Sequence, residues 1–424
     1  MTIAYIGARL PTLSETFVSN ELLAVRAAGL KVLPASVFPP RAEGMDRHLH
    51  ALASEAIVVY SATGFRNAAA EFLVRPLRSL RTLGTAVRDG IVSRDATLRA
   101  RSRLPVQVVA ALGLARRLRS AGVGHIHAHM ANTPTTIAMY AAAQLGVGFS
   151  FTGHANDLFV HRAFLPEKLR RAAFVACISR WHRGFYRRFA DVPEDRLPVI
   201  RCGVDTESLG STVQDVPPRV GPVRILSVGR LVAKKGMDTL IRAIAELGPA
   251  MPVHCEIIGD GPQRAELSSL AAALGVGDCV ELLGARPNVE VLERVRACDA
   301  FVLACRRDTV TGDQDGIPVS LMEAMAAGRC VVTSSLPPIT ELVIDGQTGI
   351  CVPEGDANAL AAALRRVAAE SGLRESLGRS AREHVAREFD RKINTERLAG
   401  HFQAALGARE HGMHHPVMTA APTT

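Results

Sequence analysis

The chain has 424 residues, more than one hydrophobic core usually supports, so two large domains are expected. With 48% hydrophobic and 21% charged residues it has a globular composition, and no stretch reaches the roughly 18 uninterrupted apolar residues of a membrane span. The formal charge of +9 suits an anionic partner, and its placement along the chain says more than its sum.

The opening, "MTIAYIGARLPTLSETF", has no basic n-region and enters a strand-like run at once, which reads as structure rather than as a signal peptide. Six short apolar runs mark the first half: "TIAYIG", "KVLPASVF", "AIVVY", "HIHAH", "GFSFTG" and "FVACIS". Each is near-continuous and ends on or near a small or turn-forming residue, the pattern of strands buried in a parallel sheet. Between the third and fourth lies a stretch, residues 65–119, with twelve Arg, no Lys and three acids (Glu71, Asp89, Asp95), which matches the whole formal excess of charge. Phe72, Leu73, Leu77, Leu80 and Leu83 lie among these arginines. Such a segment is either a surface for an anionic bilayer or a solvated helical face. It lacks the aromatic stacking pattern of a nucleic-acid surface, and no nucleic-acid partner is expected.

Proline, glycine and small polar residues cluster in "GSTVQDVPPRVGP", which is read as a linker at 210–222. Six more runs follow: "RILSVG", "VHCEIIG", "CVELLG", "AFVLA", "CVVTSS" and "GICVP". Ala/Leu/Arg-rich stretches between the runs supply crossover helices, so the fold class is α/β with two doubly wound, Rossmann-like domains, at 1–209 and 223–385. A helix over 386–406 is expected to cross back, and 407–424, without periodicity, is read as a disordered tail. The eight cysteines form no CxxC pair and sit mostly in apolar contexts, so they are read as buried free thiols in the cytoplasm.

Two stretches in the second domain carry chemistry. In "SVGRLVAKKGMDT" a strand ends at Gly229, Arg230, Lys234 and Lys235 occupy the loop, and a helix begins after Gly236. Cations at the carboxyl edge of a doubly wound sheet are placed to hold a phosphate-bearing ligand; the bland alternative is a solvated basic loop. In "DQDGIPVSLMEAMAAG", residues 313–328, Pro318 suits the first turn of a helix and Gly328 its end. Glu323 lies in an otherwise apolar helix, where a carboxylate needs donors, and a ribose diol offers two. The backbone N–H groups of Gly316, Ile317 and Val319 at the helix start are a seat for a phosphate or sugar oxygen, and Asp315 would accept from sugar hydroxyls.

Taken together these stretches resemble the donor site of the group 1 (family 4) retaining glycosyltransferases of GT-B fold. "SETFVSNELLAVRAAG", "HIHAHMANTPTTIAMYAAAQLGVGFSFTGHANDLF", "CISRWHRGFYRR", "VIRCGVD", "IIGDGPQRAEL" and "PPITELVIDGQTGICVPEGD" fall in that family's order. The shared "SETF" opening is similar to that of exopolysaccharide transferases of the colanic-acid type. The resemblance implies two domains facing across a cleft, and transfer of a hexose-type sugar, with retention, from a nucleotide diphosphate to a glycan or polyprenyl-linked acceptor. It implies UDP as the commoner carrier and GDP as the other, with no metal and no separate cofactor. Arg230 and Lys235 would stabilise the leaving diphosphate, Glu323 would hold the ribose, and His154 of "TGHANDLF" would serve the donor sugar near the reacting carbon. Asp315 departs from the family's EX7E pattern, which has Glu there, and its shorter side chain puts its reach to the sugar in question.

The acceptor side is assigned to the first domain through Ser14, Glu15, His129 and Asn132. Glu15 is either an acid facing the acceptor or a helix-start residue favoured by the dipole. The aromatic group Trp181, Phe185, Tyr186 and Phe189 either meets a lipid-linked acceptor or packs in the core. The expected location is the cytoplasm, on the inner face of the cell membrane if residues 65–119 bind lipid. Against a dinucleotide-dependent oxidoreductase stands the lack of a G-x-G-x-x-G turn after the first strand. A nucleotide-sugar epimerase or a non-catalytic nucleotide-sugar-binding protein on the same fold are the remaining alternatives.

Overall fold

The computed structural model describes residues 1–12, 15–41, 47–210 and 221–410. Each of the twelve apolar runs forms a strand, and every strand pairing is parallel. The first sheet contains β1 (Thr2–Gly7), β2 (Lys31–Ser36), β3 (Ile57–Val58), β4 (Val123–His129), β5 (Gly148–Gly153) and β6 (Phe174–Cys177), in the order β3-β2-β1-β4-β5-β6. The second contains β7 (Val223–Val228), β8 (Val253–Ile258), β9 (Val280–Gly284), β10 (Ala300–Leu303), β11 (Cys330–Ser334) and β12 (Ile350–Val352), in the order β12-β11-β10-β7-β8-β9. In each sheet the first strand has the second on one side and the fourth on the other. The winding therefore reverses between β1 and β4 and again between β7 and β10, and a crevice opens at the carboxyl ends there.

The chain forms two compact units, Cys202–Ile393 and the combination of Met1–Arg201 with Asn394–Thr424. The break thus falls eight residues before the sequence-based boundary at 209/210. Backbone pairing explains this: Val204 N–H donates to Phe389 O (3.0 Å) and Arg391 N–H to Val204 O (2.9 Å), which ties the segment after Arg201 to the second unit. The linker read at 210–222 lies mostly outside the described residues, as do 411–424 of the expected tail; residues 407–410 continue the last helix, Arg391–Glu410.

From Asn394 onward that helix belongs to the first unit. Asn394 Oδ1 accepts from Arg201 N–H at 3.0 Å. Phe402 is fully buried, 6.4 Å from the Tyr5 ring and 5.7 Å from Phe174, beside Leu22, Val25 and Leu398. The eight cysteines are all free thiols. The aromatic group of helix Arg180–Arg187 and its flank is packing: Phe185 and Tyr186 are buried, Trp181 stacks on Phe185 at 5.4 Å, and Arg188 lies 4.7 Å above the Phe185 ring.

Because Phe402 fills the centre of a core cluster, Phe402→Ala should cost roughly 3–5 kcal/mol. Thermal unfolding followed by calorimetry should show this as a fall in the transition; an unchanged transition would mean that the last helix is not part of the first unit's core.

Candidate functional site

At the β7/β10 edge, the strand β7 runs into Gly229, whose missing side chain leaves room for another. A Cβ on Gly229 would stand 3.4 Å from Lys235 Cδ and Cε, so the lysine stem lies along the strand end. Lys234 and Lys235 sit in a single 3-10 turn, Ala233–Lys235, closed by Gly236 at φ +64°. A side chain at Gly236 would place its Cβ 1.8 Å from Ala304 O, so only glycine fits this left-handed turn against the end of β10. The loop after β10 returns Asp315 to the same place. Arg306 N–H donates to Lys234 O at 2.9 Å and its guanidinium to Asp238 Oδ2 at 2.9 Å, joining the two loops.

The result is an ion cluster around the buried Asp315, with both lysines and Asp313 half-buried. Lys235 Nζ is 2.7 Å from Asp315 Oδ2, and Lys234 Nζ is 3.5 Å from Asp315 Oδ1 and 3.0 Å from Asp313 Oδ2. The Cys305 thiol donates to Asp315 Oδ2 at 3.2 Å. Burial alone would push the Asp315 carboxyl up, but the two lysines outweigh it and hold the group below the usual carboxylate range. Burial likewise opposes the charge on Lys235, but Asp315 more than restores it and the lysine stays a cation. Asp315, expected to be an acceptor for sugar hydroxyls, therefore already has both oxygens engaged. Arg230 stands exposed on the same loop.

Helix Val319–Ala326 follows, with Pro318 at its N-cap rather than in its first turn. Gly316 and Pro318 are buried, Ile317 and Val319 half-buried. Ser320 Oγ donates to Val228 O at 3.1 Å and anchors the helix to β7. Leu321, Met322, Ala324, Met325 and Ala326 are buried, as the sequence pattern requires. Glu323 is half-buried among them, without a hydrogen-bond partner for its carboxyl among the described residues, and loss of solvation pushes its pKa up to about 7. A half-buried carboxyl with no partner among the described residues is a place for a ligand with hydroxyl donors. The seven expected residues Arg230, Lys235, Asp315, Gly316, Ile317, Val319 and Glu323 thus lie on the two loops and one helix at this switch point.

The corresponding edge of the first sheet holds a chain of imidazoles instead. His129, the last residue of β4, bonds through Nδ1 to His154 Nε2 (3.1 Å) and through Nε2 to the Tyr5 hydroxyl (3.2 Å) and Glu21 Oε1 (3.1 Å). The His129 and His154 rings stack at 5.3 Å, and Phe17 covers His154 at 4.7 Å. Burial, with His129 and His182 nearby, keeps His154 well below the ordinary histidine range and hence neutral. The loop carrying it is fixed by Asp157, which accepts from Ala131 N–H (2.6 Å), Ala155 N–H (2.9 Å) and His154 N–H (3.1 Å). Glu21, His127 and His129 bring potential metal-ligand atoms within 4.8 Å of one another. Both ring nitrogens of His127 are nonetheless taken, by Ser150 Oγ at 2.8 Å and Thr152 Oγ1 at 3.2 Å, so the group reads as a hydrogen-bonded chain.

Asn132 caps helix Thr133–Leu145 by position without a side-chain cap bond. Its carbonyl and that of Ala131 accept from the buried Lys168 ammonium at 3.1 and 2.6 Å, with Ala163 O as a third acceptor at 2.7 Å. Met130 just before them has φ +73°, an uncommon conformation for a side chain of this size. Glu15 occupies the N-cap position of helix Thr16–Ala27 but makes no cap bond; burial raises its pKa, with His129 lowering and Asp157 raising it. Ser14 lies outside the described residues. Tyr5, Glu21, Asp157 and Lys168 were not singled out from sequence. Asp157 alone left a local trace, an acid three residues after His154 in a short polar turn.

The model of glycosyl transferases group 1 matches residues 212–384, and that of glycosyltransferase family 4 matches residues 43–208. The amylovoran biosynthesis glycosyltransferase AmsK of Erwinia amylovora is 36% identical over 210 residues, 49% of this chain and 50% of that protein. The putative colanic acid biosynthesis glycosyltransferase WcaL of Salmonella typhimurium is 36% identical over 213 residues, 50% of this chain and 52% of that protein. The chain thus spans about half the length of the curated relatives it matches. The structure of Anabaena HepE in complex with UDP-glucose superposes with a TM-score of 0.68 at 15% identity, over 95% of this chain and 100% of that one, a likeness of fold. The two parallel six-stranded sheets are those of the GT-B fold. Residues 43–208 are thus similar to a family 4 glycosyltransferase domain and residues 212–384 to a group 1 glycosyltransferase domain.

Proposed function

We propose that the protein transfers a hexose-type sugar from a nucleotide diphosphate, with retention of anomeric configuration, to a glycan or polyprenyl-linked acceptor in exopolysaccharide biosynthesis. The observation that carries this reading is the β7/β10 edge, where a fixed cation and an exposed arginine stand on the same loop and a half-buried carboxyl, without a partner among the described residues, lies on the adjoining helix. A nucleoside diphosphate has the complementary parts: an anionic diphosphate and a ribose diol. AmsK, an amylovoran biosynthesis glycosyltransferase, and WcaL, a putative colanic acid biosynthesis glycosyltransferase, support the reading of polysaccharide biosynthesis. HepE, alike in fold, was solved with UDP-glucose, and UDP is the carrier proposed here.

In this reading Lys235 and Arg230 meet the diphosphate and stabilise the charge that grows on it as the sugar–phosphate bond breaks. Asp315 keeps Lys235 charged and in place, so its first role is to position the cation. The N–H groups of Gly316, Ile317 and Val319 receive phosphate or sugar oxygens at the helix start. Glu323 accepts from the ribose. The role that the family resemblance gives His154, at the donor sugar, calls for a neutral imidazole, and burial supplies one. Glu15, His129, Asn132 and Ser14 are assigned to the acceptor. The location that fits a polyprenyl-linked acceptor is the cytoplasmic face of the cell membrane.

Removing either cation should lower turnover about a hundredfold or more. The two variants should differ in stability. Arg230→Ala removes an exposed side chain and should leave the melting temperature almost unchanged. Lys235→Ala strips the buried Asp315 of its nearest partner and should cost roughly 3 kcal/mol. Turnover at saturating donor and thermal unfolding on the same samples test both halves; near-normal turnover for Arg230→Ala would move the leaving phosphate elsewhere.

Glu323 gives a pH signature. If its carboxylate accepts from ribose hydroxyls, the complex favours the ionised form, and binding releases the proton held below a pKa of about 7. Affinity for the free nucleotide should therefore rise with pH, by up to about tenfold per unit below that pKa, and level off above it. Glu323→Gln, measured by calorimetry across the same range, carries only the nucleotide's own phosphate titration and should lack this component. Superimposable profiles for the two proteins would remove the ribose assignment.

A further inference from the structure

Helix Pro76–Val92 is packed the wrong way round for a helix on the surface of a water-soluble domain. Its buried residues are Ser79, Thr82, Thr85, Ala86 and Asp89. Its outward stripe is apolar: Leu77 is 83% exposed, Leu80 54%, Val87 63% and Ile91 71%. With Gly84 these residues follow a 3-4-3-4 spacing, so they form one continuous ridge. Leu73, at the end of the preceding helix Ala62–Val74, is 79% exposed and extends the apolar surface.

Hydrogen bonds fix this orientation. Gln144 donates to Glu71 Oε1 (2.8 Å) and Ser79 Oγ (3.2 Å), and accepts from Thr82 Oγ1 (2.9 Å). Asp89 accepts from the Tyr140 hydroxyl (2.7 Å) and from both terminal nitrogens of Arg171 (2.7 and 2.6 Å). Rolling the helix over to bury its leucines would break the bonds of Ser79, Thr82 and Asp89 inside the protein.

The charges are sorted in the same way. The three acids of residues 65–119 are engaged inward: Glu71 and Asp89 are buried as above, and Asp95 accepts from the N–H groups of Phe164 (3.0 Å) and Leu165 (2.9 Å). The less exposed arginines serve structure: Arg101 donates to Ala96 O (3.0 Å) and Ser93 O (2.6 Å), and Arg119 to Glu71 Oε2 (2.7 Å). Arg66, Arg75, Arg81, Arg88, Arg94, Arg99, Arg103 and Arg117 remain exposed. The outer surface of this segment therefore offers aliphatic side chains and positive charge.

We propose that helices Ala62–Val74 and Pro76–Val92 form a docking surface for an anionic lipid bilayer, with Leu73, Leu77, Leu80, Val87 and Ile91 entering the acyl boundary and Arg75, Arg81 and Arg88 meeting the headgroups. An amphipathic helix lying in the interface buries an apolar face a short way into the membrane and gains from anionic lipid through flanking cations. A second copy of the chain would bring like charge against like, and a nucleic acid would leave the aliphatic ridge without a partner. The inference rests on this surface alone and holds whatever sugar or acceptor the protein uses.

The test is flotation of the full-length protein with vesicles of phosphatidylcholine, with and without phosphatidylglycerol, at low and physiological salt. The wild type should float with the mixed vesicles, and its partition coefficient should fall several-fold as the Debye length shrinks to about 8 Å. Leu77→Gln/Val87→Gln/Ile91→Gln should lose at least tenfold at either salt. Arg75→Gln/Arg81→Gln/Arg88→Gln should lose binding mainly at low salt and show a flatter salt response. These exposed changes should leave circular dichroism and nucleotide affinity unaltered. Equal recovery of all three proteins, or no flotation of the wild type, would overturn the proposal. So would a wild-type dimer that the leucine-ridge variant converts to monomer, since the ridge would then be a protein interface.

Discussion

The 2.7 Å contact between Lys235 and Asp315 is the constraint around which the second unit's functional edge is arranged. An ammonium held largely out of water is costly unless an anion stands beside it, and the anion is as costly without the cation. Each keeps the other ionised. Bringing them together requires that β7 and β10 be neighbours, that the turn after β7 reverse through a left-handed glycine against Ala304, and that the loop after β10 fold back over it. The doubly wound topology meets the first requirement and Gly236 the second. What results is a cation fixed in position before any ligand arrives, so little reorganisation remains for the moment of reaction.

The first unit solves a different problem at the equivalent edge. Its polar groups are buried histidines, a tyrosine and two acids, linked by hydrogen bonds between 2.6 and 3.2 Å. The His154 imidazole is kept neutral by burial, and Asp157 accepts from N–H groups of two loops, Ala131 after β4 and His154 and Ala155 after β5. One edge thus presents paired lysines and an aspartate, and the other a hydrogen-bonded chain of histidines, a tyrosine and acids.

Much of this was legible in the sequence. Twelve short apolar runs marked twelve strands because strands buried on both faces leave no polar alternation to confuse with helix. Arg230, Lys235 and Asp315 could be singled out because strand ends, glycines and a helix-opening proline locate a sheet edge without a structure. The partners of Asp315 could not be read, since Cys305 and Lys234 reach it only through a fold-back of ten residues or more. Tyr5 and Glu21 were hidden for a related reason: a tyrosine in an apolar strand and a glutamate in a helix look ordinary until β4 lays His129 beside them. The orientation of helix Pro76–Val92 illustrates a deeper limit. Periodicity reveals that a helix has two unlike faces, and the usual expectation buries the apolar one. Here the polar face found Gln144, Tyr140 and Arg171, residues more than fifty positions away, and the apolar face was left outside.

The boundary between the units was also displaced by long-range pairing. Proline and glycine drew attention to 210–222, whereas the backbone of Val204 pairs with residues near 390 and commits the chain to the second unit earlier. The same region sends the last helix to the first unit, where Phe402 completes the core around Tyr5 and Phe174.

The central claim is that the β7/β10 switch point binds a nucleotide diphosphate sugar through its cations and Glu323. A crystal structure with an intact UDP-sugar tests it most directly. The account predicts the diphosphate on Lys235 and Arg230, with both ribose hydroxyls donating to the Glu323 carboxylate. A nucleotide bound with its ribose away from Glu323, or a diphosphate out of reach of Lys235, would contradict it.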